Sequence, residues 1–203
     1  MKVAKKRLER SLFLNSNVVE LAQRLLGKLI CTNINGVYCE AIITETEAYS
    51  GENDKACHAH MGRFTNRTAT MYEEGGTAYI YLCYGIHHLF NVVSNVKGKA
   101  DAVLIRSVEP VEGIEKMLER RNSKSNRPKI YAGPGKLCQA LGIDKSLNGV
   151  DLVNSNVIYL ADSDIDAAEI IKTTRIGIDY AEEDALLPWR FYFSGNKYVS
   201  KYK

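Results

Sequence analysis

Ile42-Ile43-Thr44-Glu45-Thr46-Glu47-Ala48-Tyr49 begins as a strand of the core and ends in carboxylates. Successive side chains of an extended chain point to opposite faces. Ile43, Glu45 and Glu47 therefore fall in one row, and Ile42, Thr44, Thr46 and Ala48 in the other. The two carboxylates then stand roughly 7 Å apart. Two acids at the end of such a row are stable where the strand leaves the core for a polar site, or where its end is simply solvated. Spacing alone leaves both readings open.

Working outward, Val18, Val19, Leu21, Ala22, Leu25 and Leu26 recur at helical spacing, with Asn15 or Ser16 as cap and Gly27 as stop. Strands near 28–32 and 37–46 flank Asn35-Gly36, a strong hairpin signal. Residues 50–70 form a polar stretch without periodicity that holds Asp54, His58, His60, Arg63, Asn66 and Arg67. A loop this long inside a compact domain usually carries function. A second hairpin is expected from strands 77–84 and 87–94 around Gly85. Tyr79 and Tyr81 lie on one face, Ala78 and Ile80 on the core face, and Tyr84 at the tip. Ala102 to Ile105 reads as a strand ending in Arg106, and Pro110 as the first turn of a helix reaching Arg121. A short helix over 137–141 stops at Gly142, and strands follow near 157–160, 173–178 and 190–193. Gly133-Pro134-Gly135-Lys136 lacks the upstream glycine and the Ser or Thr of a Walker loop.

The 203 residues are 45% hydrophobic and 25% charged, the balance of a soluble globular domain. No repeat or linker divides them, so one domain is expected, over 15–203, behind a basic N-terminal arm at 1–14. No apolar run of about 18 residues suggests a membrane span, and the basic N-terminus is followed by no apolar signal region. Five scattered cysteines, Cys31, Cys39, Cys57, Cys83 and Cys138, give neither a disulfide framework nor a zinc spacing and read as thiols in a reducing compartment. The net charge of +3 is uneven. Residues 116–129 carry six basic side chains against one acid, and 161–187 carry eight acids against two basic side chains. Such polarity suits a protein that offers one face to a polyanion.

Four kinds of chemistry compete for residues 45–106. His58 and His60 lack a third ligand at a metal spacing. No cysteine is singled out as a nucleophile, and no lysine sits in the apolar surroundings that activate a Schiff-base amine. The fourth is a carboxylate beside aromatic rings, here Tyr49, Tyr79, Tyr81 and Tyr84 with His58 among them. Rings that sandwich a base, with an acid at the sugar carbon, suit an enzyme acting on purines.

Thr46-Glu47-Ala48-Tyr49, His58, Tyr79-Ile80-Tyr81-Leu82-Cys83-Tyr84-Gly85, Asn91, Arg106-Ser107-Val108-Glu109-Pro110 and Gly133 to Leu141 closely resemble the alkyladenine (3-methyladenine) DNA glycosylases of the mammalian type. Arg190-Phe191-Tyr192 is similar too, and the resemblance runs from about Asn15 to Ser200. It implies a mixed α+β fold: a single domain with a curved, largely antiparallel β-sheet, flanking helices and a protruding hairpin that intercalates into DNA. It implies a monofunctional enzyme, without lyase activity or cofactor, that flips damaged purines from double-stranded DNA and hydrolyses the N-glycosidic bond to begin base excision repair. Alkylated purines are the core substrates and deaminated ones an open extension. Glu47 matches the base that activates water. Tyr49, His58 and Tyr81 match the groups stacked on the flipped base, and Asn91 the pocket residue that discriminates against guanine's amino group. Tyr84 matches the wedge and Arg106 a phosphate contact, and Lys136 lies in a matching DNA-binding segment. Ile86-His87-His88-Leu89-Phe90 departs from the mammalian pattern after the wedge. Glu45 is assigned a deeper, structural hydrogen bond. A monomer is expected, in the cytoplasm beside the bacterial nucleoid, or in the nucleus of a eukaryote. The rivals are a non-catalytic nucleic-acid-binding module on the same scaffold, for which Glu47 would serve no purpose, and a nucleoside hydrolase, which would not need the basic stretches.

Overall fold

A computed structural model describes residues 5–163, 165 and 168–200. Lys2 of the basic stretch and Asp164 and Asp166 of the acidic one lie outside them. The described elements are α1 (Arg10–Phe13), α2 (Val18–Arg24), β1 (Leu29–Ile34), β2 (Val37–Tyr49), β3 (Ala78–Cys83), β4 (His87–Ser94), β5 (Asp101–Glu112), α3 (Ile114–Arg120), α4 (Pro134–Leu141), β6 (Ile158–Ala161), β7 (Ile170–Thr173) and β8 (Arg190–Phe193). All the strands join one open antiparallel sheet in the order β3-β4-β5-β2-β1-β6, with β8 pairing β2 and β7 pairing β8. The mixed α+β architecture is as the motifs imply.

The sheet has two distinct faces. Ala78 and Ile80, Phe90 and Val92, and Val103 and Ile105 join the large core with Leu21, Leu25, Leu137 and Leu141 of the helices. On the opposite face Tyr79, Val93 and Ala102 form a smaller cluster with Met71 and Cys57 of the loop, and Tyr49 and Tyr81 pack against it. The period-2 pattern of β3, β4 and β5 thus assigns the tyrosines to one side and the aliphatic residues to the other.

β2 breaks the simple row expected of it. Ala41 and Ile43 share the large core with Ala48, although their positions differ in parity. The reason is a double irregularity. Ile43 opposes Val108, Glu45 opposes Ser107 and Thr46 opposes Ile105, so the register shifts on both sides of Glu45. Bulges of this kind re-aim side chains next to active sites. Here the shift lets Ile43 and Ala48 both face the helices, while Glu45, Glu47 and Tyr49 share the tyrosine side.

Four expectations need correction. The helix cap is Asn17, whose Oδ1 accepts the Glu20 N–H at 3.1 Å, in place of Asn15 or Ser16. Pro110 opens no helix: it pairs with Ala41 inside β5, next to a register irregularity where a missing N–H is tolerated. The chain turns instead at Gly113 (φ 75°), where a Cβ would stand 2.5 Å from the Tyr38 carbonyl oxygen, and only then forms α3. The strand expected over 173–178 is Ile170–Thr173, because the residues after it leave the sheet for the site. Nor is 1–14 an arm throughout. The Leu8 N–H donates to the Leu160 carbonyl at 3.0 Å, and Leu8 and Phe13 are core residues, so the chain is docked along β6 from Arg7 onward. No described helix is long and apolar enough to cross a membrane. All five cysteines are free thiols, and four are buried.

Candidate active site

The tyrosine face floors a cavity of about 690 Å³. Tyr49, His58, Tyr79, Tyr81, Asn91, Leu104 and Arg106 line it, the hairpin tip forms one edge, and Gly133 to Lys136 and Ile176 to Tyr180 form others. The sequence-predicted residues Tyr49, His58, Tyr81, Tyr84, Asn91, Arg106 and Lys136 therefore converge on one space, although they are scattered over 87 positions of chain (136 − 49).

Glu47 sits just behind this wall and is fully buried. Three cavity-lining groups hold it. The Tyr49 hydroxyl donates to Oε2 at 2.8 Å, Arg106 Nη1 donates to Oε2 at 3.0 Å, and the Ile176 N–H donates to Oε1 at 2.8 Å. Burial and the Glu47 charge push Tyr49 well above its ordinary pKa, so the phenol keeps its proton and remains a donor. A carboxylate has about four lone-pair sites, so three donors leave one acceptor position unfilled by these groups.

Glu45, two residues back, is bound more completely. Its Oε1 accepts from Arg106 Nε at 3.1 Å, Arg190 Nε at 2.6 Å and Ser200 Oγ at 2.7 Å. Its Oε2 accepts from Ser107 Oγ and the Ser200 N–H, each at 2.7 Å. Burial by itself would raise this carboxyl. Arg106, Arg190 and Ser200 outweigh that and hold it below the ordinary value. Ser107 Oγ also accepts the Gly133 N–H at 3.1 Å, which ties the Gly-Pro-Gly-Lys turn to the same network. Lys136 follows on the first turn of α4 and is exposed.

Arg106 is held from the protein side. It is only 7% exposed, and two of its nitrogens are committed to Glu45 and Glu47. It therefore anchors both carboxylates while still lining the cavity.

The aromatic wall is fixed at several points. His58 Nδ1 and the Tyr79 hydroxyl are 3.0 Å apart, and the His58 ring meets Tyr81 edge-on at 4.7 Å between centroids. Burial, then the Arg67 charge, push His58 down to about 4, so the imidazole is neutral at neutral pH. Asn91 is buried and donates from Nδ2 to the Tyr79 carbonyl at 3.1 Å. At the hairpin tip Tyr84 (φ 50°) and Gly85 (φ 72°) form the paired left-handed turn that matches strand twist. Tyr84 is 91% exposed, with Leu82 and Ile86 also exposed beside it.

Sequence reasoning missed the clamp that closes the far wall. Arg175 is buried, forks onto both oxygens of Asp54, and donates to the carbonyls of Ala48 and Asp184. Its guanidinium also lies 4.8 Å from the Tyr49 ring centroid. Asp54 and Arg175 are 121 positions apart, and no local pattern links them. Arg190 was visible only as part of a terminal Arg-Phe-Tyr match, with no hint that it faces Glu45. Among the described residues, no group of three or more His, Cys, Asp or Glu side chains is placed to hold a metal ion.

Residues 12–197 match a DNA glycosylase sequence profile. The profile is that of the methylpurine-DNA glycosylases, and the chain belongs to this family. A relative from Clostridium perfringens strain 13 is 47% identical over 198 residues, covering 93% of this chain and 97% of its own. One from Natranaerobius thermophilus is 47% identical over 190 residues, 93% and 96% of the two chains. One from Chlamydia pneumoniae is 45% identical over 188 residues, 92% and 95%. All three are provisionally named 3-methyladenine DNA glycosylases.

Proposed function

We propose that this chain removes 3-methyladenine and related damaged purines from duplex DNA by hydrolysis, with Glu47 activating the water. The observation that carries the reading is the Glu47 carboxylate, buried directly behind an aromatic cavity and held there by three groups of the cavity wall. A base reaches such a cavity only after leaving the stack, at a cost of a few kcal/mol that is smaller for damaged pairs. Tyr49, Tyr81 and His58 would hold it, with stacking worth roughly 1–3 kcal/mol per ring. Asn91, on the same face, would read its edge. Cleavage passes through an oxocarbenium-like sugar, as in glycoside hydrolysis. The carboxylate stabilises that cation and takes a proton from the attacking water.

On this reading no cofactor takes part, and the chain acts as a monomer on double-stranded DNA. Lys136 and the basic side chains of 116–129 would meet phosphates, and in a bacterium the enzyme would work at the nucleoid in the cytoplasm. The direct test is to incubate the protein with duplexes carrying one 3-methyladenine and assay for abasic sites. Alkali-labile sites should accumulate, and strands left intact without alkali would agree with hydrolysis and no lyase step. No base release would refute the proposal.

Tyr84 is the proposed wedge, since an inserted side chain offsets the cost of opening the duplex. Asn tolerates the left-handed backbone that position 84 requires, so Tyr84→Asn removes the ring and leaves the turn. Affinity for lesion duplex should fall about tenfold, in keeping with the loss of one stacked ring. Undamaged duplex should lose much less, and equal losses in a binding titration would exclude intercalation.

A further inference from the structure

Arg67 lines the cavity and has no role in the reaction as described so far. Its Nη2 stands 3.2 Å from His58 Nε2, and its guanidinium carbon 4.8 Å from the Tyr81 ring centroid. A guanidinium only donates. His58 Nε2 must therefore offer its lone pair, and the ring proton sits on Nδ1, from which it is donated to the Tyr79 hydroxyl at 3.0 Å. Neither His58 nor Tyr81 brings a negative charge to Arg67. The contrast is with Arg106 on the same wall, whose charge is matched by Glu45 and Glu47. Arg67 is an exposed residue at the cavity rim, and it brings there a positive charge that these partners do not neutralise. His58 keeps its one ring proton on Nδ1, turned to Tyr79, and its Nε2 is taken by Arg67, so neither ring nitrogen offers a proton to a departing base.

The sign of that charge separates two kinds of substrate. In the hydrolysis the C1′–N9 bond breaks and its electron pair goes to the purine. The water oxygen bonds to C1′, and one water proton passes to Glu47. A purine alkylated on a ring nitrogen enters as a cation and leaves neutral. A neutral purine leaves as an anion and takes its proton from solvent afterwards. A cation beside the ring opposes binding of the first kind and not of the second; both departures remove one unit of positive charge from the base, so the two kinds differ in excision measured from free enzyme and DNA. We propose that Arg67 is a specificity-determining residue of this pocket, favouring excision of neutral damaged purines, such as deaminated adenine, over cationic ones. Because arginine stays protonated, it acts through its field and its hydrogen bonds and not by proton transfer. This inference rests on the glycosylase reading of the same pocket.

The test compares single-turnover excision, with enzyme held below saturation so that binding is included, from hypoxanthine and 7-methylguanine duplexes by the wild type, Arg67→Ala and Arg67→Lys. Arg67→Ala should lose tenfold or more on hypoxanthine, below the 10²–10³ seen when a fully aligned oxyanion donor is removed. It should hold or gain rate on 7-methylguanine, and Arg67→Lys should restore part of the hypoxanthine rate. Both substrates are read on one preparation, so partial unfolding cannot mimic a change in their ratio. Equal losses on the two duplexes would overturn the proposal, as would a wild type that releases 7-methylguanine but not hypoxanthine. A wild type that releases neither base would defeat the glycosylase reading itself, and this inference with it.

Discussion

Glu47→Gln abolishes base release while leaving lesion binding in place: that is the expected result, with the single-turnover rate falling at least about 10³-fold. General-base assistance accounts for roughly 10²–10⁴ of rate, and charge stabilisation at the sugar adds to it. The amide has almost the shape of the carboxylate, so the cavity should survive. It does not have the same hydrogen-bonding sense. Tyr49, Arg106 and the Ile176 N–H all donate to Glu47, and a glutamine must turn its NH₂ toward at least one of them. That mismatch costs about 1–3 kcal/mol, and Arg106 and Arg190 both keep Glu45 as a counter-charge, so the protein should stay folded and its affinity for lesion duplex measurable. Retained excision with intact binding would remove Glu47 from the reaction.

The parts of this molecule legible in its sequence are those written in local patterns. The Asn35-Gly36 and Tyr84-Gly85 turns, the two-faced β3–β4 hairpin and the α4 stop at Gly142 each depend on a few adjacent residues. So does the convergence of the tyrosines on one face, because period-2 alternation is a property of the strand itself. What stayed hidden depends on pairs far apart in the chain. The double irregularity at Glu45 is set by how β2 and β5 fit together, which the parity of β2 alone cannot report. Pro110 looks like a helix start until β2 is seen to pair with it. Nothing local to Arg106 announces that it pairs with two carboxylates. The Asp54–Arg175 clamp has no local signal at either end. The family resemblance pointed to β2 and to residues that line the cavity, but not to the charge network that holds them.

That network makes Glu45 and Glu47 different in kind, although they stand two residues apart on one face of β2. Glu45→Gln should therefore fail where Glu47→Gln succeeds, through loss of stability. Glu45 is the buried anion that Arg106 and Arg190 share, and it accepts five hydrogen bonds. Replacing it leaves Arg106 with Glu47 alone and takes from Arg190 the carboxylate it is paired with. Removing one partner of a buried ion pair typically costs about 3–5 kcal/mol. At about 2–4 °C per kcal/mol for a domain of this size, the midpoint of thermal unfolding should drop by roughly 6–20 °C. The pH dependence identifies the cause. The folded-state pKa of Glu45 lies below its ordinary 4.5, so its ionised form contributes stability that is fully present above that value. The contribution is lost as pH falls through the lower, folded value. The stability gap between wild type and Glu45→Gln should be constant from pH 6 to 8 and should narrow below about pH 4.5 as the wild-type carboxylate takes up its proton. A gap that persists unchanged into acid would trace the loss to packing and not to charge. If Glu45→Gln keeps the wild-type midpoint but loses base release, the two carboxylates have exchanged roles, and the water belongs on Glu45.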